Sequence, residues 1–197
     1  MLKLYSAIGS NSSERVEWVL QYKHLDWERV EVSNEELANS YRQFINPFGF
    51  VPALDHNGFI LSESMAIIEY LEELHPSPSV FGENTKDRAQ ICSICSYIGT
   101  TIHSPQNRSV LRFFRPELSP KDKKTLRATW IAKGLEKVAP LLWGHSGFCY
   151  GHAFSLSDIF VATIYRKYLQ HGATPLPAYE EHRRFLLEQD LIPTNLF

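Results

Sequence analysis

The sequence has few cysteines, no long apolar run and no excess of charge of one sign. Its three cysteines make an odd count without a disulfide framework, which is typical of a chain kept in a reducing compartment. No apolar run approaches the ~18 residues of a membrane span, and Met1 leads straight into a strand-like segment, which leaves no room for a signal peptide. The net charge of −2 gives no indication of a nucleic-acid or membrane partner. We therefore expect a soluble, cytoplasmic protein.

The same scarcity argues against a metal centre. Cys92 and Cys95 have the spacing of a redox pair or of half a zinc site, but they lie inside a helical pattern without a second pair of ligands. His145, His152 and His171 show no spacing typical of a metal site. We predict no metal, and we interpret the cysteine pair as buried or inert.

The periodicity of apolar residues divides the chain into two predicted domains. Residues 1–76 predict an α/β domain whose order is strand, helix, strand, helix, strand, strand, helix. The short segment Pro76-Ser77-Pro78-Ser79 is a predicted linker, because prolines this close together break any helix. Residues 84–197 predict only helices.

Several starts and ends of these elements can be predicted from the sequence. Glu35–Ile45 predicts one short helix, and a single long helix is expected from Asn84 to about Phe114. Ser119 precedes a proline and an acid in the order typical of a helix start. Ser155–Asp158 resembles a capping box, and it opens the run Ile159–Leu169, which is apolar nearly all round and predicts a buried helix.

A hairpin is the most specific local prediction. Val51–Leu54 and Phe59–Leu61 are short apolar runs, and Asn57-Gly58 between them is a strong signal for a tight antiparallel turn. The polar triplet Ser62-Glu63-Ser64 follows, and a helical pattern begins there. A helix start offers free N–H groups and the positive end of the helix dipole, so this triplet predicts a site for a carboxylate.

Val51-Pro52 stands directly before this hairpin. A cis peptide bond here would turn the N–H and C=O of Val51 outward, where they could pair with a small peptide ligand. The alternative interpretation is an ordinary proline in a loop.

The first predicted helix is preceded by a loop rich in hydroxyl groups. Ser10, Asn11, Ser12 and Ser13 lie between the first strand and that helix. A hydroxyl at a helix start can donate to an anion, whereas the simpler interpretation is that Ser12 or Ser13 is only the N-cap.

Together these segments resemble the soluble glutathione transferase family over essentially the whole chain. The resemblance is carried by the serine loop before Arg15-Val16, by Asn46-Pro47 ahead of Val51–Leu54, by Glu63–Ile67 and by Ser155–Asp158. It implies a thioredoxin-like domain joined to an all-helical domain, with glutathione as co-substrate and a homodimeric assembly. The segments Ile67–Glu73 and Ile102–Leu111 look most like the zeta class, which includes maleylacetoacetate isomerase.

The resemblance also implies roles for individual residues. Ser10 aligns with the catalytic serine of the zeta class, and Ser12, Ser13 and Asn11 are the alternative donors to the thiol sulfur. The residues implied to bind glutathione are Ser13, Val51, Pro52, Glu63, Ser64 and Gln106. The helix that carries His103, Arg108 and Arg112 lines the second-substrate pocket in this family.

Three departures from the zeta pattern bear on the reaction. Ser12 stands where zeta enzymes have a cysteine, and Phe50 replaces the Lys or Gln that precedes Val-Pro. The arginine taken to hold the isomerase substrate falls near Tyr168, with Arg166 two residues earlier. The leading hypothesis is therefore a glutathione transferase that attacks a small electrophile. The alternatives are a cis–trans isomerase of the maleylacetoacetate type and a non-catalytic adaptor on the same fold.

Overall fold

The computed structural model describes residues 1–193, which form two compact units, Met1–Ser79 together with Pro193, and Val80–Ile192. The division between them falls at the carboxyl end of the predicted linker. The predicted second domain runs to residue 197, and its last four residues lie outside the described range.

The first unit is a four-stranded mixed sheet with helices. Its strands are β1 (Leu2–Ser6), β2 (Trp27–Glu31), β3 (Ala53–His56) and β4 (Phe59–Ser62), and its helices are α1 (Asn11–Tyr22), α2 (Asn34–Ala38), α3 (Ser40–Phe44) and α4 (Ser64–Leu74). The strand order is β2-β1-β3-β4, in which β1 and β2 are parallel and the other pairs are antiparallel. The predicted order of strands and helices in the first domain is confirmed except between β2 and β3, where two helices replace one.

The hairpin between β3 and β4 follows the prediction. Asn57 and Gly58 both have positive φ, at 55° and 91°, as the two central residues of a type I′ turn require. The Asp55 carboxylate accepts a hydrogen bond from the Gly58 N–H at 2.7 Å and closes the turn.

The single helix predicted over Glu35–Ile45 is wrong, because two short helices occupy this stretch. Ser33 begins α2 with a full capping box, and Asn39 leaves the helical region with φ −121° and ψ −103°. The Asn39 side chain donates to the Glu35 carbonyl at 3.0 Å, so an amide replaces the backbone donor that would continue the helix.

The core of this unit lies where α1 and α4 cover the sheet. Leu4 and Leu54 are fully buried at the centre of the sheet. The ammonium of Lys23, at the end of α1, pairs with the Glu72 carboxylate of α4 at 2.7 Å and donates to the carbonyls of His75 and Pro78. Because this lysine side chain is fully buried, its three partners fix the carboxyl end of α1 against that of α4.

The second unit is all-helical. Its α-helices are α5 (Thr85–Ser96), α6 (Arg108–Phe114), α7 (Pro120–Val138), α8 (Leu156–Gln170) and α9 (Pro177–Glu188). A π segment, Tyr97–His103, and a 3₁₀ turn, Ser104–Gln106, lie between α5 and α6. No helix within residues 1–193 is both long and apolar enough to cross a membrane.

The single helix predicted from Asn84 to Phe114 is therefore interrupted. Pro105 has no N–H to donate and cannot continue an α-helical ladder. Asn107, with ψ 149°, is extended and ends the first run before α6 begins. His103 and Gln106 consequently lie before this break, and Arg108 and Arg112 lie after it.

The predicted start of α8 is confirmed. Asp158 accepts from the Ser155 N–H at 2.9 Å and from the Cys149 N–H at 2.7 Å, and its carboxylate also contacts His182 Nε2 at 2.9 Å. Residues 156–165 are all buried, so α8 is the central helix of this unit.

Candidate functional site

The sheet register brings three of the predicted segments to one edge. Tyr5 of β1 pairs with Ala53 of β3, which pairs in turn with Ser62 of β4. Because β3 runs opposite to its two neighbours, the carboxyl ends of β1 and β4 lie beside the amino end of β3. The serine loop after β1, Val51-Pro52 before β3 and Glu63-Ser64 after β4 therefore meet at this edge.

The serine loop ends in a helix cap whose hydrogen bonds form between residues of the loop and the first turn of α1. Ser10 is the N-cap of α1, and its Oγ accepts hydrogen bonds from the Ser13 N–H at 3.3 Å and from the Ser13 hydroxyl at 3.0 Å. Asn11 and Ser13 are buried, whereas Ser10 and Ser12 are partly exposed.

The Ser10 hydroxyl still has a proton to donate. Its oxygen accepts twice, and no residue within 1–193 accepts the hydroxyl hydrogen. Hydrogen bonds in a chain polarise one another, so an oxygen that already accepts two is a stronger donor. Ser12 is also partly exposed, and its hydroxyl makes no hydrogen bond among residues 1–193, so Ser10 is distinguished from it by the two hydrogen bonds that its oxygen accepts.

The chain before Pro52 is fixed by side chains that sequence reasoning did not assign. The Tyr41 hydroxyl and the Asn46 amide both donate to the Phe50 carbonyl, at 2.9 and 2.8 Å. Burial raises the pKa of the Tyr41 phenol, which therefore stays a neutral donor at physiological pH. The Val51-Pro52 peptide bond is cis. Within the described part of the chain, the N–H and C=O of Val51 have no hydrogen-bond partner, so both are available to a ligand.

The start of α4 has no cap of its own. Glu63 stands at the N-cap position with φ 75° and ψ 117°, and its side chain makes no capping hydrogen bond. Positive φ is rare for a residue with a side chain, and such strain is concentrated at functional positions. The open N–H groups that begin with Ser64 form a natural site for a carboxylate.

A charged network at the carboxyl end of β1, beside the serine loop, ties α1 to β1 and β2. Glu17 accepts from the Ser6 hydroxyl at 2.6 Å and from Arg29 Nε at 3.0 Å, and Arg29 also donates to Ser6 Oγ at 3.2 Å. Glu31 accepts from the Ile8 N–H at 2.9 Å and thereby fastens the serine loop to β2. No spacing in the sequence signalled this network, since its members come from three different elements.

The remaining predicted residues lie in the helical unit. His103 and Gln106 are buried, whereas Arg108 and Arg112 are exposed on successive turns of α6. The Gln106 carbonyl accepts from Arg127 Nε at 3.0 Å, which ties the 3₁₀ turn to α7.

A cluster of potential metal ligands in this unit was also missed. Cys149 Sγ lies 3.4 Å from His182 Nε2, which contacts the Asp158 carboxylate. Burial and the Asp158 charge raise the pKa of the Cys149 thiol well above its usual range. The Asp158 carboxylate already accepts hydrogen bonds from the N–H groups of Ser155 and Cys149. We therefore interpret the cluster as a structural contact that joins α8 to α9.

Residues 4–79 match the family model described as glutathione S-transferase, N-terminal domain. A zeta-class glutathione S-transferase of Euphorbia esula is 35% identical over 164 residues, which cover 81% of this chain and 72% of that protein. A maleylacetoacetate isomerase of Pseudomonas aeruginosa is 34% identical over 168 residues, which cover 81% of this chain and 78% of that protein.

Solved structures extend this similarity to the whole fold. A holo maleylpyruvate isomerase, described as a bacterial zeta-class glutathione S-transferase, gives a TM-score of 0.87 at 26% identity, covering 96% of this chain and 93% of that one. The maleylacetoacetate isomerase of Anaeromyxobacter dehalogenans, solved with glutathione in its active site, gives 0.79 at 29% identity, covering 93% and 88%. The predicted thioredoxin-like domain followed by an all-helical domain is confirmed. The chain belongs to the zeta class of the glutathione transferase family, a class of enzymes that includes the maleylacetoacetate isomerases.

Proposed function

We propose that this chain binds glutathione at the sheet edge and activates its thiol for attack on a small electrophile. The observation that carries the proposal is the Ser10 hydroxyl, which accepts two hydrogen bonds at the start of α1 and keeps its own proton. The backbone of Val51 would pair with the cysteinyl part of glutathione. Glu63 would accept from the γ-glutamyl ammonium, and Ser64 with its N–H would hold the γ-glutamyl carboxylate.

The energy required for this activation is modest. A free thiol has a pKa of about 8.5, and only the thiolate is a strong nucleophile. Lowering that pKa by two units requires about 2.7 kcal/mol of preference for the anion. One charge-assisted hydrogen bond of about 1.5–3 kcal/mol, together with a helix dipole of about 0.3–1 kcal/mol, supplies that amount.

A glutathione-dependent cis–trans isomerase is the second candidate. It is supported by the relatives named maleylacetoacetate and maleylpyruvate isomerase. In that reaction the thiolate adds to a double bond, the bond rotates, and elimination releases the thiolate unchanged. The same Ser10 would serve either reaction, so the electrophile decides between them. Comparing the turnover rates with maleylacetone and with chlorodinitrobenzene distinguishes isomerisation from transfer to an electrophile.

The decisive test is the pKa of bound glutathione. Thiolate absorbance of the complex, titrated against pH, is expected to give a pKa near 6.5, two units below the free thiol. Ser10→Ala should return it toward the free value, while Ser12→Ala should not. Tight binding with an unshifted pKa would contradict activation and favour a non-catalytic adaptor.

The homodimer implied by the family stays a prediction. Sedimentation equilibrium of the full chain checks it directly, since a dimer has twice the 22.7 kDa mass of the chain.

A further inference from the structure

Two adjacent aromatic side chains at the end of α6 lie on the surface. Phe113 and Phe114 are 78% and 70% exposed, and their rings meet edge to face with centroids 4.9 Å apart. Leu111 of the same helix is buried, so α6 packs on its unit through another face. Packing of the core therefore does not explain why these two positions are aromatic.

The surrounding segment is strongly basic, which the net charge of the whole chain conceals. Residues 108–127 contain seven lysines and arginines against two acids, Glu117 and Asp122, which gives a net charge of +5. The rest of the chain contains thirteen basic and twenty acidic residues, which gives −7. A negatively charged partner is therefore attracted to this segment and repelled by the rest of the chain.

Contacts at the turn between α6 and α7 place cations beside the two rings. Arg115 directly follows the ring pair and bonds to the Glu117 carboxylate at 2.6 Å, and Lys123 Nζ lies 3.5 Å from the carbonyl of Pro116. The hydrogen bond from Arg115 lowers the pKa of Glu117, and the charge of Lys123 lowers it further. Residues 112–117 are all exposed, so the rings and the cations reach solvent together.

The exposed apolar area is small for a stable interface with another protein. Two phenylalanine side chains offer about 300–500 Å² in all, whereas a specific interface buries about 800 Å² on each partner. A lipid surface requires no complementary shape, because headgroups rearrange around inserted rings while their anionic groups attract cations. A pair of rings beside cations therefore fits an anionic bilayer better than a folded protein.

We propose that Phe113, Phe114, Arg115 and Lys123 form a docking patch for an anionic lipid surface. The rings enter the headgroup region, and the guanidinium and ammonium groups contact lipid phosphates and carboxylates. With two rings and a few cations as its anchors, this attachment is reversible. The patch lies within the helical unit, and its binding requires neither glutathione nor thiol activation.

The test is co-sedimentation of the full chain, without glutathione, with phosphatidylcholine vesicles that contain or lack phosphatidylserine. Binding is expected only where phosphatidylserine is present, and added salt should weaken it by screening the charges. Phe114→Ser should lower the partition coefficient about tenfold, because one ring is no longer buried among the lipids. Phe44→Ser is the matched control, since Phe44 of α3 is 69% exposed but lies outside the patch, and it should leave binding unchanged.

Removal of single charges tests the electrostatic part of the patch. Lys123→Gln should lower the partition coefficient about fivefold, as expected for one cation near an anionic surface. Lys133→Gln removes the same charge from an exposed position further along α7 and should leave binding unchanged. Equal losses in the two lysine variants, or in the two phenylalanine variants, would indicate general attraction and overturn the proposal.

An acidic protein segment is the competing partner, and poly-glutamate is the probe for it. Poly-glutamate has negative charge without a bilayer, so its binding should be weak and should not change in Phe114→Ser. If Phe114→Ser weakens the binding of poly-glutamate as much as that of vesicles, the partner is an acidic segment and the lipid assignment is wrong. Failure to bind either kind of vesicle would also overturn it. Because glutathione is absent, each result is independent of thiol activation.

Discussion

Two helices begin at the same edge of the sheet, and their starts are built in opposite ways. The start of α1 is capped by its own loop, since Ser10 accepts from both the N–H and the hydroxyl of Ser13. The start of α4 has no side-chain cap, and Glu63 at its N-cap has positive φ. Both ends carry the same partial positive charge, so the difference lies in which donors are left for a ligand.

This difference matches two chemical tasks. At α1 the backbone donor of Ser13 is satisfied and the Ser10 hydroxyl keeps its proton, which suits a single soft sulfur anion. At α4 the backbone donors are left open, which suits a carboxylate with two oxygens. We infer that α1 sets the reactivity of bound glutathione, while α4 sets its affinity.

Ser10→Ala is expected to have the largest effect. It removes the proposed donor to sulfur, so the thiol pKa of bound glutathione should rise by about two units, from about 6.5 to about 8.5. At pH 7 the thiolate fraction then falls about 25-fold, and kcat/KM should fall by the same factor. Stability should also fall by about 1 kcal/mol, because the cap of α1 is lost. Steady-state kinetics and thiolate titration measure the first effect, and urea unfolding measures the second.

Ser33→Ala is the matched control, since Ser33 caps α2 in the same unit. It should lower stability by a similar amount and leave the thiol pKa unchanged. A normal thiol pKa in Ser10→Ala would contradict the role assigned to α1.

Ser64→Ala should affect the other helix start. Removing the hydroxyl that we propose donates to the γ-glutamyl carboxylate should weaken glutathione binding about tenfold, as expected for a hydrogen bond to a charged group. The pKa of the bound thiol should not change, because the sulfur is held at α1. Isothermal titration gives the affinity, and Ser40→Ala, at the first position of α3, is the control. A shifted thiol pKa would show that the two helix starts are not independent.

Glu63→Gly should separate strain from binding. Glycine adopts φ near 75° without steric cost, so the variant should gain about 1 kcal/mol of unfolding free energy. Glutathione affinity should fall severalfold, because the acceptor for the ammonium is lost. His24→Gly relieves another positive φ, at 52°, beyond the end of α1, and should change stability alone. Equal affinities in the two variants would contradict the role of Glu63.

Much of this edge could be predicted because its signals are local. Asn57-Gly58 fixed the register of β3 on β4, and Ser64 followed from the change of period after the hairpin. Once the strand order is known, the register places the serine loop beside the start of β3 and the start of α4. The start of α8 was equally accessible, since a capping box needs only four consecutive residues.

The side chains that hold the backbone of the site in position could not be predicted in this way. Glu17, Arg29 and Ser6 lie on different elements, and Tyr41 and Asn46 act through a backbone carbonyl. Contacts of this kind depend on tertiary packing and leave no spacing in the sequence. The same limit explains the error between Asn84 and Phe114. There the local pattern predicts α-helix through residues 97–106, whereas the structure has π and 3₁₀ segments, to whose carbonyls Trp130 and Arg127 donate.

Ser13→Ala should have the smallest effect, and it tests whether the cap itself contributes to reactivity. The hydroxyl donated to Ser10 is lost while the Ser13 N–H bond remains, so cooperative strengthening of the Ser10 donor is reduced. We expect the thiol pKa to rise by about half a unit and kcat/KM at pH 7 to fall about 1.5-fold. If Ser13 acts only through Ser10, the double variant Ser10→Ala with Ser13→Ala should be no slower than Ser10→Ala alone. Additive losses would instead show that Ser13 contacts glutathione directly, and the two helix starts would then differ less than their caps indicate.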